Sequence, residues 1–443
     1  MELNELKSLL QAAGVVGAGG ATFPTYVKLA PGADTLVINA AECEPLLYTD
    51  LTIMELHMDK VLSGIRTVME AASIPSALIG IKSSKGKLLH LMHGQELAPG
   101  IKVCLLPDVY PMGDEINLIY ETTGRLVPPG KLPMTVGVIV MNLETVYNIH
   151  LARYEDRPVI EKWLTINGNV KPCVIRVPLG VRVRDLFLQL GIKVPAGHVV
   201  MDGGPSMGRI IDINTAIVTK ATKGLLILPE DIPAVVTKQR DMRVQLAMAS
   251  SACCGCSRCT DLCPRALLGY PLEPHKHIRV TVSSEHINPE EVLSATLCCA
   301  CGICEIAACC QEISPRAVIA EHKTILGKAK MRFTATDDSQ YKVSPDRAYR
   351  QMSSARWMQY LGVDRYSAHP EYISEMPQFD RVEIRLSQHI GVPSVPRVAV
   401  GNPVSVGQMI AAPAGGLSVA QHAPIDGTVV ALDANRIVIE AVR

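Results

Sequence analysis

The chain has 443 residues, of which 43 are Lys or Arg and 43 are Asp or Glu, so its formal net charge at pH 7 is zero. This balance argues against a protein that binds nucleic acid, because such proteins carry a basic surface. No apolar run reaches the roughly 20 residues of a membrane-spanning helix, and the start MELNELK lacks the apolar core of a signal peptide. We expect a cytoplasmic chain of about two to four domains.

Residues 1–158 predict an α/β domain. The segments DTLVINA (34–40), PSALIGI (75–81) and VGVIVMN (136–142) are short, apolar and β-branched, which is typical of buried strands. A helical pattern, TDLTIMELHMDKVLSGIRTVMEAA (49–72), lies between the first two. Strands that alternate with helices indicate a parallel sheet with helices packed on it.

The rest of the chain divides into four further segments. Residues 159–232 combine short strands with one helix and predict a small α+β module. Residues 240–325 contain most of the cysteines, and residues 326–376 predict a polar, helical connector. Residues 377–443 are short strands broken by Gly and Pro, which is typical of a small all-β barrel or sandwich.

Eleven of the 14 cysteines lie in two runs between residues 253 and 310. The first run has the spacing C-x2-C-x2-C-x3-C-P, which binds [4Fe–4S] clusters in bacterial ferredoxins. The second run repeats the three cysteines separated by two residues, but its last cysteine, Cys309, follows a gap of four residues. The adjacent Cys310 is the alternative candidate for this ligand. In such pairs the last cysteine of each run ligates the other cluster. The predicted ligands are Cys253, Cys256, Cys259 and Cys309 for one cluster, and Cys298, Cys301, Cys304 and Cys263 for the other.

A structural zinc site is the main alternative, because paired CxxC motifs also make sites of four thiolates. One zinc ion needs four cysteines, whereas the two runs supply eight, so we interpret them as two [4Fe–4S] clusters. Cys254 and Cys299 fall outside the repeating spacing and are interpreted as neighbours of the ligands. Cys43, Cys104 and Cys173 are expected to be small buried apolar residues.

A glycine-rich segment near the N-terminus, GVVGAGGATFPTYVKLA (14–30), brings together Gly17, Gly19 and Gly20. Glycines allow a backbone to approach an anionic ligand closely. The spacing is not G-x-G-x-x-G, so taken alone the cluster favours an ordinary turn. The segments that follow it along the chain change this interpretation.

The segment GAGGATFPTYVKL resembles the flavin loop shared by the RnfC family and the NADH-binding 51-kDa subunit of respiratory complex I. NAAECEP (39–45), YPMGDEINLIY (110–120) and VMNLETVYNI (140–149) resemble further segments of these proteins, in the same order. Residues 159–232 resemble the RnfC family's SLBB β-grasp module, the cysteine runs its ferredoxin-like part, and residues 377–443 its barrel-sandwich hybrid. The implied fold class is a multidomain α/β protein with a Rossmann-like FMN domain.

The resemblance implies that the N-terminal domain binds FMN. One group of residues would lie along the phosphate and the ribityl chain, with a lysine as the positive charge. These residues are Gly17, Gly19, Gly20, Lys28, Asn142 and Thr145.

A second group would lie near the flavin ring and the incoming nicotinamide of NADH. Asn39, Glu42 and Glu44 would hydrogen-bond there, and the two glutamates are the predicted catalytic residues. Gly113 and Glu115 would line the nucleotide entrance.

The order of the modules along the chain resembles that of one particular group of related proteins. In RnfC proteins the barrel-sandwich module lies at the N-terminus, whereas here it closes the chain, as in the cobalamin reductases of propanediol-utilisation microcompartments. The resemblance implies an enzyme that passes electrons from NADH through FMN and two [4Fe–4S] clusters to cob(III)alamin or cob(II)alamin. It also implies a place in a bacterial microcompartment, with an adenosyltransferase and shell proteins as partners.

Two other functions remain open from the sequence. One is an RnfC-type subunit that donates electrons to a ferredoxin or to a membrane partner, and the other is a non-catalytic adaptor. The flavin loop argues against the adaptor, which has no reason to keep such a loop. The chain lacks the Asp-x-His-x-x-Gly motif of base-off cobalamin-binding domains, so we expect cobalamin to dock only transiently.

The first residues predict a helix with one apolar face. Leu3, Leu6, Leu10 and Ala13 form a stripe at helical spacing. This stripe either packs beside the glycine loop or belongs to an encapsulation helix of a microcompartment enzyme.

Overall fold

The computed structural model describes residues 1–84, 94–280 and 288–442. The strands of the N-terminal domain are β1 (Thr35–Asn39), β2 (Ser76–Lys82), β3 (Glu96–Ala98), β4 (Ile101–Leu106), β5 (Val109–Tyr110) and β6 (Val138–Asn142). Five of them form a sheet in the order β3–β4–β2–β1–β6, in which β3 is antiparallel and the others are parallel. The three predicted strands are thus confirmed as β1, β2 and β6. Their continuous apolar runs suit a sheet that is covered on both faces.

The helices of this domain are α1 (Leu3–Ala12), α2 (Thr25–Lys28), α3 (Thr49–Ala72), α4 (Glu115–Thr123) and α5 (Leu143–Tyr154). α3 has the bounds predicted from the sequence. The apolar stripe of α1 faces the core, because Leu6 and Leu10 have no exposed surface and Ala13 is also buried. This burial supports the interpretation of α1 as a helix that packs beside the glycine loop.

The middle domain is a mixed sheet with one helix. Its elements are β7 (Glu161–Gly168), β8 (Cys173–Pro178), α6 (Val183–Gln189), β9 (His198–Asp202), β10 (Arg209–Ile211) and β11 (Gly224–Pro229). β7 and β8 form an antiparallel hairpin, and β11 returns beside β7 in the parallel direction. The expected combination of short strands and one helix is therefore observed.

The cysteine-rich region is helical. Its helices are α7 (Pro233–Gln239), α8 (Met242–Ala252), α9 (Arg258–Asp261), α10 (Pro264–Leu267), α11 (Pro274–Val280), α12 (Pro289–Leu293) and α13 (Pro315–Lys328). A π-helical turn spans Cys304–Ala308. Buried Ala249, Ile278, Ile313 and Val318 form a small core of their own under this region.

The connector contains more than helices. Besides α14 (Arg347–Arg350) and α15 (Ser354–Leu361), it has the short strands β12 (Met352–Ser353) and β13 (Glu371–Ile373). β12 pairs with β5 of the N-terminal domain, and β13 extends the middle-domain sheet beside β8. The connector thus ties two domains together, which its polar composition does not reveal.

The C-terminal domain is all-β, as predicted. Its strands are β14 (Arg381–Arg385), β15 (Val395–Pro396), β16 (Pro403–Val404), β17 (Met409–Ala412), β18 (Gln421–His422), β19 (Gly427–Leu432) and β20 (Arg436–Glu440). They form a four-stranded sheet, β14–β20–β19–β16, and a three-stranded sheet, β15–β17–β18. A continuous apolar core joins this domain to the N-terminal and middle domains. Among the described residues, none of the helices has the length and apolarity needed to cross a membrane.

Candidate functional site

Two asparagines end neighbouring parallel strands at one edge of the N-terminal sheet. Asn39 ends β1 and Asn142 ends β6, and the two are opposite each other in the pairing. Asn39 Nδ2 donates to the carbonyl oxygen of Gly113 (2.9 Å), and its Oδ1 accepts from the Ala41 amide (3.2 Å). Asn142 Oδ1 accepts from the Glu144 amide (3.0 Å) and caps α5. Ligands of open α/β sheets bind at this carboxyl edge.

The glycine loop lies beside this edge. Its start is closed by a hydrogen bond from the Gly17 amide to the carbonyl oxygen of Phe23 (2.9 Å), and the Ala18 amide donates to Thr145 Oγ1 (2.9 Å). Gly20 has a φ of +106°, in the region that favours glycine. Among described residues, no atom lies within 4 Å of the position that a Cβ of Gly20 would take. The loop backbone therefore leaves room for a ligand.

Both predicted catalytic glutamates are buried and accept hydrogen bonds from the protein. Glu42, which has a φ of +41°, accepts through Oε1 from the Asp50 amide near the start of α3 (3.0 Å). Glu44 accepts from the amides of Ser206 (2.9 Å) and Met207 (3.0 Å) in the middle domain. Burial raises the pKa of Glu44 above its ordinary value, although these amides oppose the shift. Glu44 thus anchors a middle-domain loop over the sheet edge.

These segments enclose a cavity of about 570 Å³, within the size range of small-molecule sites. Its walls come from the glycine loop, the ends of β1 and β6, the segment around Gly113 and two middle-domain loops. The site residues predicted from the sequence that line it are Gly19, Gly20, Asn39, Glu42, Glu44, Gly113 and Asn142. The glycine backbone and the N-terminus of α5 suit a phosphate group, so the residues present fit a flavin mononucleotide. We call this cavity the flavin cavity.

Four of the predicted flavin residues do not belong to the cavity lining. Gly17 and Thr145 shape the glycine loop from behind, through the two hydrogen bonds given above. Lys28 Nζ pairs with Glu115 Oε1 (3.1 Å) and donates to the carbonyl oxygen of Val140 (3.1 Å). Roles for Lys28 and Glu115 in flavin and nucleotide binding therefore remain predictions.

The sequence did not identify an ion pair that lies in the cavity wall. Asp50, in the first turn of α3, and Lys223, from the middle domain, both line the cavity. Lys223 Nζ lies 2.7 Å from each carboxylate oxygen of Asp50, and Asn142 Nδ2 donates to Asp50 Oδ2 (3.0 Å). Since 173 residues separate the two members of the pair, no local pattern in the sequence indicates it.

One group of cysteines, which we call the inner cysteine group, contains members of both runs. Cys263, the last cysteine of the first run, lines the same small cavity as Cys298, Cys301 and Cys304. Burial and the neighbouring thiolates of Cys298 and Cys299 raise the pKa of Cys263 to about 12. Cys299 also lines this cavity, and four of these five thiols would be enough for the donor set of an iron–sulfur cluster.

The outer cysteine group is at the surface. Its cavity is lined by Cys253, Cys254, Cys256, Cys259, Cys309 and Cys310. The sulfurs of Cys254, Cys256 and Cys310 lie within 4.8 Å of one another, and Cys254 Sγ is 4.0 Å from Cys310 Sγ. Burial, followed by the neighbouring Cys309, raises the pKa of Cys259 to about 12. The choice of Cys253 and Cys309 over their neighbours remains a prediction.

The four-residue gap in the second run corresponds to the π-helical turn. The turn spans Cys304–Ala308 and ends immediately before Cys309. A π-helical turn holds one residue more than an α-helical turn, and such turns occur often at functional sites. The turn accommodates the extra residue of the second run, and Cys309 still lines the cavity of the outer group.

The flavin cavity and the inner cysteine group share a wall. Cys299 and Cys301 line both cavities. Asp114 of the flavin cavity pairs with Arg265 of the inner group, with 2.6 Å between Oδ1 and the guanidinium. Tyr110 Oη donates to the carbonyl oxygen of Cys301 (2.8 Å). A flavin in the larger cavity would therefore be adjacent to the inner group, and the outer group would lie on the solvent side.

Three parts of the chain match known protein families. Residues 10–151 match the family described as the Nuo51 FMN-binding domain, and residues 252–314 match a 4Fe-4S dicluster domain. Residues 362–441 match the RnfC barrel sandwich hybrid domain.

The cobalamin reductase PduS of Salmonella typhimurium is 36% identical over 441 residues, which cover 99% of this chain and 97% of that protein. The chain belongs to the PduS cobalamin reductase family. The PduS relative from Citrobacter freundii is also 36% identical, over 96% of this chain and 94% of its own length. One component of the Na⁺-translocating ferredoxin:NAD⁺ oxidoreductase complex of Acetobacterium woodii is 32% identical, over 60% of this chain and 58% of its own length.

Proposed function

We propose that this PduS-family chain is an NADH-dependent cobalamin reductase that uses FMN and two [4Fe–4S] clusters. The observation that carries the proposal is the wall shared by the flavin cavity and the inner cysteine group, through Cys299 and Cys301. When bound, FMN supplies the chemistry that links two-electron transfer from NADH to one-electron transfer at clusters.

The residues of the cavity bind and enclose the cofactor. The glycine-loop backbone and the capped N-terminus of α5 would hold the phosphate, and Asn39 fixes the segment around Gly113. Glu44 keeps the Ser206–Met207 amides over the cavity. Contacts of Glu42 and Glu44 with the nicotinamide are part of this proposal.

The position of the two cysteine groups indicates the order in which electrons from the flavin would reach them. The inner group is buried beside the flavin cavity, since Cys263, Cys301 and Cys304 are all buried. In the outer group Cys253 and Cys256 are exposed. We therefore assign the inner cluster as the first acceptor and the outer cluster as the donor to cobalamin.

The remaining parts of the proposal concern architecture and location. The β7–β8 hairpin and the parallel return of β11 support an SLBB β-grasp module at residues 159–232, and the five-stranded sheet supports a Rossmann-like flavin domain. The PduS relatives support a location in a bacterial microcompartment of the cytoplasm. An adenosyltransferase and shell proteins are the proposed partners.

The test is anaerobic reduction of cob(III)alamin by NADH, followed through the corrinoid spectrum. We expect the protein to contain FMN with about eight iron and eight sulfide per chain, and to reduce cobalamin faster than free FMN does. Cys259→Ala, which removes an outer ligand, should lose cobalamin reduction but keep NADH oxidation by ferricyanide.

Four outcomes would contradict the proposal. A rate no higher than that of free FMN would exclude cobalamin reduction, and reduction of ferredoxin alone would favour an RnfC-type function. Full cobalamin reduction by Cys259→Ala would show that electrons leave before the outer cluster. A folded protein without flavin would exclude both the cobalamin reductase function and the RnfC-type function.

A further inference from the structure

The flavin cavity has a charged wall that the middle domain supplies. Lys223 lies immediately before β11, and its Nζ is 2.7 Å from both carboxylate oxygens of Asp50 in α3. Both residues are buried, with 9% of Lys223 and 2% of Asp50 exposed. Asn142 Nδ2 donates to Asp50 Oδ2 (3.0 Å), so the pair is fixed beside the glycine loop.

Acidic side chains outnumber basic ones in the described lining of this cavity. The carboxylates are those of Glu42, Glu44, Asp50, Asp114 and Asp202, and the cations are Arg209 and Lys223. Arg209 is largely exposed and pairs with Asp202 (3.1 Å). Lys223 is therefore the buried cation of this lining.

The ammonium of Lys223 is held in its charged form. Burial opposes the charge, but the nearby carboxylates of Asp50, Glu144 and Glu42 raise the pKa of Lys223 above its ordinary value overall. A charge fixed at a buried position acts on its surroundings more strongly than one in water.

We propose that Lys223 is the residue that sets the reduction potential of the flavin in this cavity, acting through its charge. This inference rests on the proposed function, which puts FMN there. Hydride transfer from NADH brings two electrons and one proton, so a neutral flavin gains one negative charge and NAD⁺ leaves. The cavity carboxylates oppose that charge, and the Lys223 ammonium favours it.

A second ion pair between the same two domains offers a matched control. Lys162 of β7 pairs with Glu144 of α5 (2.6 Å), and both side chains are almost fully buried. Neither residue belongs to the described lining of the flavin cavity. Loss of Lys162 alone would leave the Glu144 carboxylate unpaired near Lys223. The control is therefore the double variant Lys162→Met/Glu144→Gln, which should weaken the contact between the domains without moving the flavin potential.

The experiment is a spectroelectrochemical titration of the flavin in the full-length protein and its variants. We expect Lys223→Met to weaken binding of reduced relative to oxidised flavin about tenfold, which lowers a two-electron potential by about 30 mV. Lys223→Arg should keep the wild-type potential, and the double variant Lys162→Met/Glu144→Gln should do so too. Asp50→Asn should shift the potential upward, because it removes a carboxylate and leaves the ammonium.

Opposite shifts of the flavin potential in Lys223→Met and Asp50→Asn distinguish an effect of charge from an effect of packing. Equal potentials in Lys223→Met and wild type, equal shifts in Lys223→Met and Lys162→Met/Glu144→Gln, or shifts of the same sign in Lys223→Met and Asp50→Asn would overturn the inference. If Lys223→Met does not fold, Lys223→Gln replaces it with the same expectations. If the folded variant purifies without flavin, its Kd for added FMN is measured, and it should exceed that of Lys162→Met/Glu144→Gln. A wild-type protein without flavin would contradict the proposed function itself.

Discussion

Cys309 and Cys310 are adjacent in the sequence but have different neighbours in the structure. Cys309 is close enough to Cys259 for its charge to raise the pKa of that thiol. Cys310 Sγ is 4.0 Å from Cys254 Sγ and within 4.8 Å of Cys256 Sγ, a predicted outer ligand. Both cysteines therefore lie at the outer group, and Cys309 as the ligand that crosses to the outer cluster stays a prediction.

Cys309→Ala should therefore remove the outer cluster, since three thiolates remain where four are needed. We expect iron to fall from about eight to about four per chain, with the electron paramagnetic resonance signal of one reduced cluster lost. Cys310→Ala is the matched control and should keep both clusters. A full cluster content in Cys309→Ala together with a loss in Cys310→Ala would reverse the assignment.

Glu42 and Glu44 show that a motif can identify a site residue without identifying its hydrogen-bond partners. NAAECEP predicted that Glu42 and Glu44 belong to the site, and both line the cavity. Their partners are Asp50, Ser206 and Met207. Two of these partners lie in another domain, which no local pattern can predict.

At the scale of elements, α3 and α5 pack closely behind the flavin cavity. Gly64 of α3 faces the carbonyl oxygen of Val146 in α5, and a Cβ at this position would overlap that oxygen. Since α5 carries Asn142 at its N-cap, its position matters for the site as well as for stability.

Gly64→Ala should lower the free energy of unfolding by about 1–3 kcal/mol, because an added carbon in a well-packed interior forces the backbone to shift. Gly327→Ala is the matched control, since Gly327 of α13 has open space at its Cβ position among the described residues. That substitution should raise stability by about 0.5–1 kcal/mol through helix propensity. Thermal unfolding measures both, and an unchanged midpoint in Gly64→Ala would contradict the close packing.

At the scale of the whole molecule, three domains meet at buried polar groups. Lys220 of the middle domain donates through Nζ to the carbonyl oxygens of Gly14 (2.8 Å) and Ala420 (3.3 Å). His422 of the C-terminal domain is buried in the same junction. Burial, and then the Lys220 charge, lower the pKa of His422 to about 3.

This junction should weaken in acid. An unfolded histidine has a pKa of 6.5, so between pH 6.5 and about 3 the unfolded chain binds more protons at His422 than the folded chain does. The stability from His422 is complete above pH 6.5 and falls by up to about 1.4 kcal/mol per pH unit below it. Between pH 7 and pH 5, the thermal midpoint should fall less in His422→Gln than in wild type. Equal slopes would contradict this prediction.

Local signals in the sequence were enough to predict several parts of the protein. Apolar periodicity predicted β1, β2, β6 and α3, and the C-x2-C spacing predicted the ligand triples, because backbone geometry fixes both over a few residues. The motifs also predicted seven residues that line the flavin cavity.

The tertiary structure alone decided how these parts meet. It paired Lys223 with Asp50, joined the flavin cavity to the inner cysteine group through Cys301, and used β12 and β13 to tie the connector to two domains. Such contacts join residues far apart in the chain, and they depend on how folded domains pack. Spacing along the sequence carries no record of that packing.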